Sequence, residues 1–442
     1  MDEAQTSVPI STKLQRIAEQ AKEAPQLVFT NLSHYIDIDL LKEAYRLTNK
    51  RGAAGVDGQT ATAYKENLED NLQGLWTLLK EGRYRAPAVR RVRIPKEGKV
   101  GETRPLGIPT FEDRIVQRAV AMLLSAIYEQ DFYDCSYGFR PGRSAHQAID
   151  ELRHALMATG GGWVLEVDIK AFFDNVDHGH LRSILDLRVR DKGIRRLIGK
   201  WLKAGVLEAG VLSHPKSGTP QGGVASPILA NIYLHAVLDQ WFQQAVLPRL
   251  RGKAKLVRYA DDFIIVFSHL GDAEKVIDIL PERFSSFGLT VHPEKTRLVD
   301  FQRPRPERTP GSFDFLGFTF HWRRSRKGNW VVGMRTAKSR LKRAVKAVNQ
   351  WCRENMHLPV KLQKATLARK LQGHFAYYGL TGNCRSLQRF RSQAIKSWRK
   401  WLDRRSCQAK MTWEKMANLL KHHPLPPARV VHSVFRAAKL CS

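Results

Sequence analysis

The sequence predicts an α+β fold in which helices and strands are mixed as far as about residue 330 and are followed by helices alone. Three observations predict this. Residues 255–267 form a β-hairpin pattern, two apolar β-branched runs on either side of two adjacent aspartates. Residues 83–94 alternate like a strand, and a Pro and Gly turn separates them from a second strand at 103–110. From about Arg335 the chain changes to long basic helical segments that contain Trp and Tyr.

Charge is the most informative feature of the composition. The 442 residues, enough for two to three domains, include 73 Lys and Arg but 42 Asp and Glu, a net charge of +31. An excess of this size indicates a polyanionic partner, with nucleic acid as the first expectation and a membrane surface as the alternative. No apolar run approaches the length of a spanning helix, and no signal peptide is evident. Residues 335–442 hold 25 basic and three acidic residues, which predicts a C-terminal module that binds phosphate backbone.

The five cysteines indicate a reduced protein. They are odd in number, widely spread and without metal-ligand spacing. We therefore expect no disulfide framework and a reducing cytoplasm.

The remaining elements follow from periodicity and from Gly and Pro breaks. Helices are predicted at 1–26, 38–50, 67–80, 112–128, 144–156, 178–204, 228–241 and 272–287. Short strands are predicted at 163–169, 288–291 and 313–320. Glycine-rich loops at 51–58, 136–144 and 217–227 separate these elements and allow the backbone to pass close to a ligand.

Aspartates at the ends of strands form the candidate catalytic centre. Asp261 and Asp262 lie at the hairpin tip, where adjacent carboxylates repel unless a cation lies between them. The alternative is an ordinary solvated turn. Asp168 ends the strand at 163–169 and could supply a third carboxylate. Three carboxylates on neighbouring strands would hold two Mg²⁺ about 4 Å apart, as in-line nucleotidyl transfer requires.

Cations and an aromatic residue could complete a nucleotide site. Lys96 and Arg104 flank the turn of the basic hairpin, where they could clamp a triphosphate, although ordinary surface basicity is the alternative. Phe173 follows Asp168 by five residues and could press on a sugar. For Phe172 and Phe173, packing in the core is the competing interpretation.

A set of ordered motifs resembles the reverse transcriptases encoded by bacterial group II introns. The motifs are RPLGIP from Arg104, YGFRP from Tyr137, DIKAFF from Asp168, PQGG from Pro220, YADD from Tyr259, EKT from Glu294 and FLG from Phe315. GVDG from Gly55 resembles the N-terminal extension of these enzymes, and LQGHFAYYG from Leu371 resembles their maturase domain. The ordered set is specific, whereas an isolated YADD would not be.

The resemblance implies a right-hand polymerase: fingers and an antiparallel palm sheet, followed by an α-helical thumb or maturase domain. The implied boundaries are an N-terminal extension at 1–60, fingers and palm at 61–330, the helical thumb or maturase domain at 331–405, and a small DNA-binding segment at 406–442. Many family members end in a Cys- and His-bearing nuclease domain. With only Cys407 and Cys441 near Ser442, we expect no such nuclease here.

The resemblance also assigns roles by position. The implied metal ligands are Asp168, Asp261, Asp262 and the Ile169 carbonyl, holding two Mg²⁺ ions with Mn²⁺ as a substitute. The implied nucleotide-binding residues are Lys96, Arg104, Arg90, Phe173 as the gate against a ribose 2′-OH, Gln221 and Lys295. Tyr259 would support the primer terminus.

The implied function is RNA-directed DNA synthesis combined with binding of a group II intron RNA, which would assist splicing and retrohoming as a ribonucleoprotein. Partners would be intron and template RNA, target or primer DNA and dNTPs, with no membrane and with the protein as a monomer or dimer. The expected location is the bacterial cytoplasm, on the nucleoid when bound to target DNA. Two alternatives stay open: a splicing-only maturase, and a domesticated reverse transcriptase in defence or repair.

Overall fold

A computed structural model describes residues 10–95, 101–208, 210–213, 218, 222–406 and 410–433. The chain divides into two compact units. The first comprises Met1–Ala148 and Val164–Leu298, and the second comprises Ile149–Trp163 and Val299–Ser442. Among the helices of these ranges, none combines the length and the apolar composition that a membrane span requires.

Within the described ranges, ten α-helices lie entirely in the first unit, and one more, the sixth in chain order, begins there but has most of its residues in the second unit. They are α1 (Ile10–Glu23), α2 (Ile38–Leu47), α3 (Ala61–Glu66), α4 (Leu68–Lys80), α5 (Phe111–Asp131), α6 (Ala145–Ala158), α7 (Phe172–Asn175), α8 (His178–Asp186), α9 (Lys192–Leu202), α10 (Ser226–Leu234) and α11 (Leu270–Ser285). α5 lies in the core, with most of its apolar side chains buried. Thr110 caps its N-terminus by accepting a hydrogen bond from the Asp113 amide.

Two four-stranded sheets accompany these helices. Their strands are β1 (Val89–Pro95), β2 (Thr103–Ile108), β3 (Trp163–Val167), β4 (Val206–Glu208), β5 (Val211–Ser213), β6 (Ala254–Tyr259), β7 (Asp262–Phe267) and β8 (Arg297–Asp300). One sheet has the order β2-β1-β4-β5 and the other β6-β7-β3-β8. The second sheet therefore places the strand that leads to Asp168 directly beside the strand that begins at Asp262.

The second unit combines a small sheet with basic helices. Its elements are β9 (Phe313–Phe315), β10 (Phe318–Arg324), β11 (Trp330–Thr336), α12 (Lys338–Glu354), α13 (Val360–Tyr378), α14 (Cys384–Asp403) and α15 (Trp413–His422). The four helices share one apolar core, at whose centre Trp398 is fully buried. The Trp398 indole donates to the Gln363 amide oxygen at 2.8 Å, so its polar atom is satisfied.

The structure differs from the predicted elements at several places. Residues 313–320 form two strands, because Leu316 and Gly317 both adopt positive φ and make a two-residue hairpin turn. The predicted helix at 228–241 is α-helical only to Leu234 and continues as a π-helix at His235–Gln240. The predicted strand at 288–291 is reduced to a bridge between Ile169 and Val291. The sequence did not predict β4, β5, β8 or β11.

Candidate active site

The β6–β7 hairpin carries the two adjacent aspartates as predicted. The strands pair antiparallel, with Tyr259 opposite Asp262, so that Ala260 and Asp261 form the turn. Ala260 is left-handed, with φ of 57°. The Asp262 side chain is exposed and Asp261 is partly buried. Both carboxylates therefore lie at one end of the sheet.

Asp168 lies just beyond the end of β3, the neighbour of β7. Its carbonyl accepts a hydrogen bond from the His292 amide at 2.8 Å, and the Lys170 amide donates to the Thr290 carbonyl at 2.8 Å. These bonds hold the chain on both sides of Ile169, the residue whose carbonyl is the expected further ligand. The backbone at this candidate ligand is thus tied to residues 290–292.

The electrostatics of the site show that Asp168 and Asp261 interact. Burial raises the pKa of Asp261, and the negative charge of Asp168 raises this pKa further. A cation between the two carboxylates would relieve this repulsion. In the structure the Lys295 ammonium supplies positive charge instead, donating to Asp168 Oδ2 at 2.5 Å.

Oxygen donors of this kind suit Mg²⁺, and the repulsion between Asp168 and Asp261 favours a bound cation. Within the described ranges, no group of three or more His, Cys, Asp or Glu side chains is assembled as a metal site. The carboxylates of Asp168 and Asp261 fit a divalent ion by their chemistry. In the structure, Asp168 is paired with Lys295.

A buried ion pair lies next to the turn formed by Ala260 and Asp261, the candidate catalytic turn. Arg258 and Asp239 have fully buried side chains and are joined by two hydrogen bonds, of 2.8 Å from Nε and 2.5 Å from Nη2. Arg258 Nη1 also donates to the Ala260 carbonyl at 3.1 Å and to Asn231 Oδ1 at 3.0 Å. Although burial opposes ionisation of both groups, the pKa of Arg258 is raised and that of Asp239 is lowered, because each stabilises the charge of the other. One guanidinium thus connects a helix to the turn that carries Asp261.

A profile of the family described as reverse transcriptase (RNA-dependent DNA polymerase) matches residues 94–320, just over half of the chain. The chain belongs to the reverse transcriptase family. This match and the mixed helix and sheet content confirm the predicted right-hand polymerase fold with a helical C-terminal region.

The chain is similar to three further proteins of known sequence. Protein YkfC of Escherichia coli (strain K12) is 36% identical over 359 residues, which cover 73% of this chain and 91% of YkfC. Group II intron-encoded protein LtrA of Lactococcus lactis subsp. cremoris is 41% identical over 240 residues, covering 53% of this chain but 39% of LtrA. Nuclear intron maturase 2, mitochondrial, of Arabidopsis thaliana is 28% identical over 233 residues, covering 44% of this chain and 30% of the maturase. These relatives confirm the resemblance to group II intron reverse transcriptases and maturases.

The loop at residues 136–144 of the reverse transcriptase packs against the catalytic turn. The Tyr137 amide donates to the Arg258 carbonyl at 2.9 Å, and Asn231 Nδ2 donates to the Gly138 carbonyl at 2.7 Å. A Cβ atom at Gly138 would clash with the Ala260 amide and lie 3.0 Å from the Tyr259 carbonyl carbon. Only glycine allows this approach of two backbones.

We expect Gly138→Ala to destabilise the protein by about 1–3 kcal/mol and to displace the catalytic turn, because neither contacting backbone can move aside cheaply. Thermal unfolding and primer extension would both report the change. Gly271→Ala is the matched control, since a Cβ there meets nothing within 4 Å. Equal behaviour of the two variants would contradict the tight packing inferred here.

Phe173 is the second residue of α7, a helix that begins directly after Ala171, whose φ is 46°. Phe172 is 2% exposed and belongs to the core, whereas Phe173 is half-buried. A Cβ at Gly218 would lie 2.8 Å from the carbonyl oxygens of Phe173 and Asp174, so the described start of the 217–227 loop passes close to this helix. The placement leaves Phe173 available to a ligand.

The predicted nucleotide cations are only partly described. Arg104 is exposed on β2, opposite Ile94 of β1. Arg90 is half-buried, and its Nε has no hydrogen-bond partner among the described residues. Lys96 and Gln221 lie outside the described residues.

Several supporting residues escaped the sequence prediction. Gln117 of α5 accepts hydrogen bonds from the Val224 amide at 2.7 Å and the Ala225 amide at 3.3 Å, and donates to Asp113 at 2.9 Å. Burial raises the pKa of Asp113, although hydrogen bonds from Tyr84, Trp201 and Gln117 oppose the rise. The sequence signal that could have identified Gln117 is its spacing of four residues from Asp113 along α5. The signal that could have identified Arg258 is a charged residue next to the apolar residues of a strand.

Proposed function

We propose that this reverse transcriptase is an RNA-directed DNA polymerase that extends a primer 3′-OH along an RNA template with dNTPs. The observation that carries the proposal is the placement of Asp168 just beyond the end of β3, beside the strand β7 that begins at Asp262, within the segment that matches the family. Paired carboxylates at a strand end and a hairpin tip are suited to in-line nucleotidyl transfer. The direct test is primer extension on RNA with purified protein.

Asp168, Asp261, Asp262 and the Ile169 carbonyl would hold two Mg²⁺ ions, for which Mn²⁺ can substitute. When bound, the ions would lower the pKa of the attacking 3′-OH and neutralise the leaving pyrophosphate. Lys295 would move its positive charge from Asp168 towards the triphosphate, since its ammonium is partly exposed.

The surrounding residues would position the substrates. Arg104 and Lys96, with Arg90, would neutralise the triphosphate, and Gln221 would lie beside the nucleotide. Tyr259, opposite Asp262 in the hairpin, would support the primer terminus. These roles rest on the motif resemblance, and the exposed position of Arg104 is compatible with its role.

Phe173→Val should raise ribonucleotide incorporation relative to deoxyribonucleotide incorporation by roughly 10- to 100-fold, because the smaller side chain leaves room for a 2′-OH. The measurement is kcat/KM for matched rNTP and dNTP on one primer-template. Because Phe173 is half-buried, the protein should stay folded, which thermal unfolding would check. An unchanged ratio in a folded variant would remove Phe173 from the gate.

We further propose that the protein binds a group II intron RNA and acts as a maturase within a mobile ribonucleoprotein. LtrA is named as group II intron-encoded, and the Arabidopsis relative is named as an intron maturase. The basic helices α12 to α14 offer a surface for the RNA. A splicing-only maturase is the second candidate, which the relative's name favours. Splicing assays at low Mg²⁺ alongside primer extension would separate the two.

A further inference from the structure

A cavity of about 740 Å³ lies in the first unit, between α9, α8 and the chain just before β1. We call it the α9 cavity. Its described lining includes seven cationic residues: Arg85, Arg182, Lys192, Arg195, Arg196, Lys200 and Lys203. Among the residues that the structure describes, no acidic one lines it. None of these residues belongs to the predicted catalytic site.

α9 has two opposite faces. Its apolar face is buried, with Ile194 and Trp201 among the core residues. Its cationic residues Lys192, Arg196 and Lys200 recur at the spacing of one helical face, and Lys203 is the residue that directly follows the helix. The side chains of Lys192, Arg196 and Lys203 are exposed, so this face is open to a ligand.

The cations of the cavity are close enough to affect one another. Burial lowers the pKa of Lys200, and the positive charges of Arg196 and Arg85 lower it further. The Lys200 ammonium is held in place by donating to the Tyr84 carbonyl. Arg195 differs from the others, because it forms an ion pair with Asp186 at 2.8 Å. Like charges held together in this way favour binding of an anion.

The lining also indicates which part of a nucleic acid would bind. Within the described part of the chain, no aromatic side chain lines the cavity, so these residues offer no surface on which unpaired bases could stack. A Cβ at Gly199 would meet nothing within 4 Å, which leaves the helix surface accessible between the cations. Contacts made only by cations suit backbone phosphates. Proteins recognise base-paired RNA largely through such backbone contacts.

We propose that the α9 cavity binds successive backbone phosphates of base-paired RNA, separately from the polymerase site and from the basic C-terminal helices. This inference rests on the proposed RNA-binding function. It locates one RNA contact in the first unit, whereas the strongest excess of positive charge in the sequence lies at residues 335–442.

The test compares Arg196→Gln/Lys203→Gln with Lys65→Gln/Lys275→Gln, a control pair of exposed lysines outside the cavity. The affinity of the full chain for an RNA hairpin with a long stem is measured over a range of salt concentrations. The slope of log Kd against log salt should fall by about one for each lost phosphate contact, hence by about two for the cavity variant. The control pair should leave it unchanged. Unpaired RNA should show little difference between the variants.

Equal slopes for the two variants would overturn the proposal, as would an equal loss of affinity for unpaired RNA. Inorganic tripolyphosphate that binds the wild-type protein but not the cavity variant, while both proteins bind the hairpin with equal slopes, would also overturn it, in favour of a small-anion site. Primer extension is measured in parallel. If the cavity variant has a smaller slope but the wild-type protein synthesises no DNA, only the polymerase proposal is contradicted. If the wild-type protein synthesises DNA but the cavity and control variants have equal slopes, only the cavity proposal is contradicted.

Discussion

Asp261→Asn is expected to reduce primer extension on an RNA template by roughly a thousandfold or more. The substitution keeps the shape of the side chain but removes the charge that would hold a divalent ion, whose contribution to nucleotidyl transfer is several kcal/mol. The free protein should become slightly more stable, since burial and Asp168 both disfavour the charged form of Asp261. Single-turnover extension and thermal unfolding would give the two values.

Asp278→Asn, at an exposed position of α11, is the matched control and should extend primers normally. Affinity for RNA should be the same in both variants, because we expect RNA binding to depend on the basic surfaces. In a splicing assay at low Mg²⁺, Asp261→Asn should keep any maturase effect. Near wild-type extension by Asp261→Asn would show that the catalytic centre lies elsewhere.

Arg258→Met should cause the second large effect, a loss of about 3–5 kcal/mol in the free energy of unfolding, because it leaves the Asp239 carboxylate buried without its partner. Primer extension should also fall, since the Ala260 carbonyl and Asn231 lose the guanidinium that holds the turn. Chemical denaturation followed by fluorescence would measure the stability change, and kcat and KM would measure the catalytic one.

The double variant Arg258→Met/Asp239→Leu separates stability from positioning. Replacing both members of a buried pair by apolar residues is often neutral or stabilising, so the double variant should recover much of the lost stability. It should not recover kcat, because nothing in it bonds to the turn. Recovery of both quantities would mean that the pair serves stability alone.

Local patterns in the sequence predicted the hairpin that carries Asp261 and the strand that leads to Asp168. Both rest on short-range alternation and apolar runs, which periodicity detects. Arg258, Asp239 and Asn231 could not be predicted, because their pairing joins positions 19 and 27 residues apart and depends on how a helix packs on a strand. That these two elements are neighbours in one sheet was expected from the carboxylates that each would contribute to a metal site. The adjacency of β3 and β7 agrees with this expectation.

Small changes of backbone geometry were also beyond the sequence. The π-helix at His235–Gln240 follows α10 without a break, and its apolar residues are compatible with either helix over so short a span. The split of residues 313–320 at Leu316 required a left-handed leucine, which side-chain statistics disfavour. Gly317 was the one local hint of that turn.

The discontinuous make-up of the first unit has a consequence for biosynthesis. This unit needs both Met1–Ala148 and Val164–Leu298, so a nascent chain that has released only the first segment from the ribosome lacks β3 and the β6–β7 hairpin. Asp168 emerges well before Asp261, and β8, the edge strand beside β3, is the last strand of this sheet to emerge. Because domains fold as units during translation, the candidate catalytic centre can assemble only once nearly 300 residues are outside the exit tunnel. The side of α5 that packs against α10 stays uncovered until then, so the incomplete chain exposes apolar surface of the kind that chaperones bind.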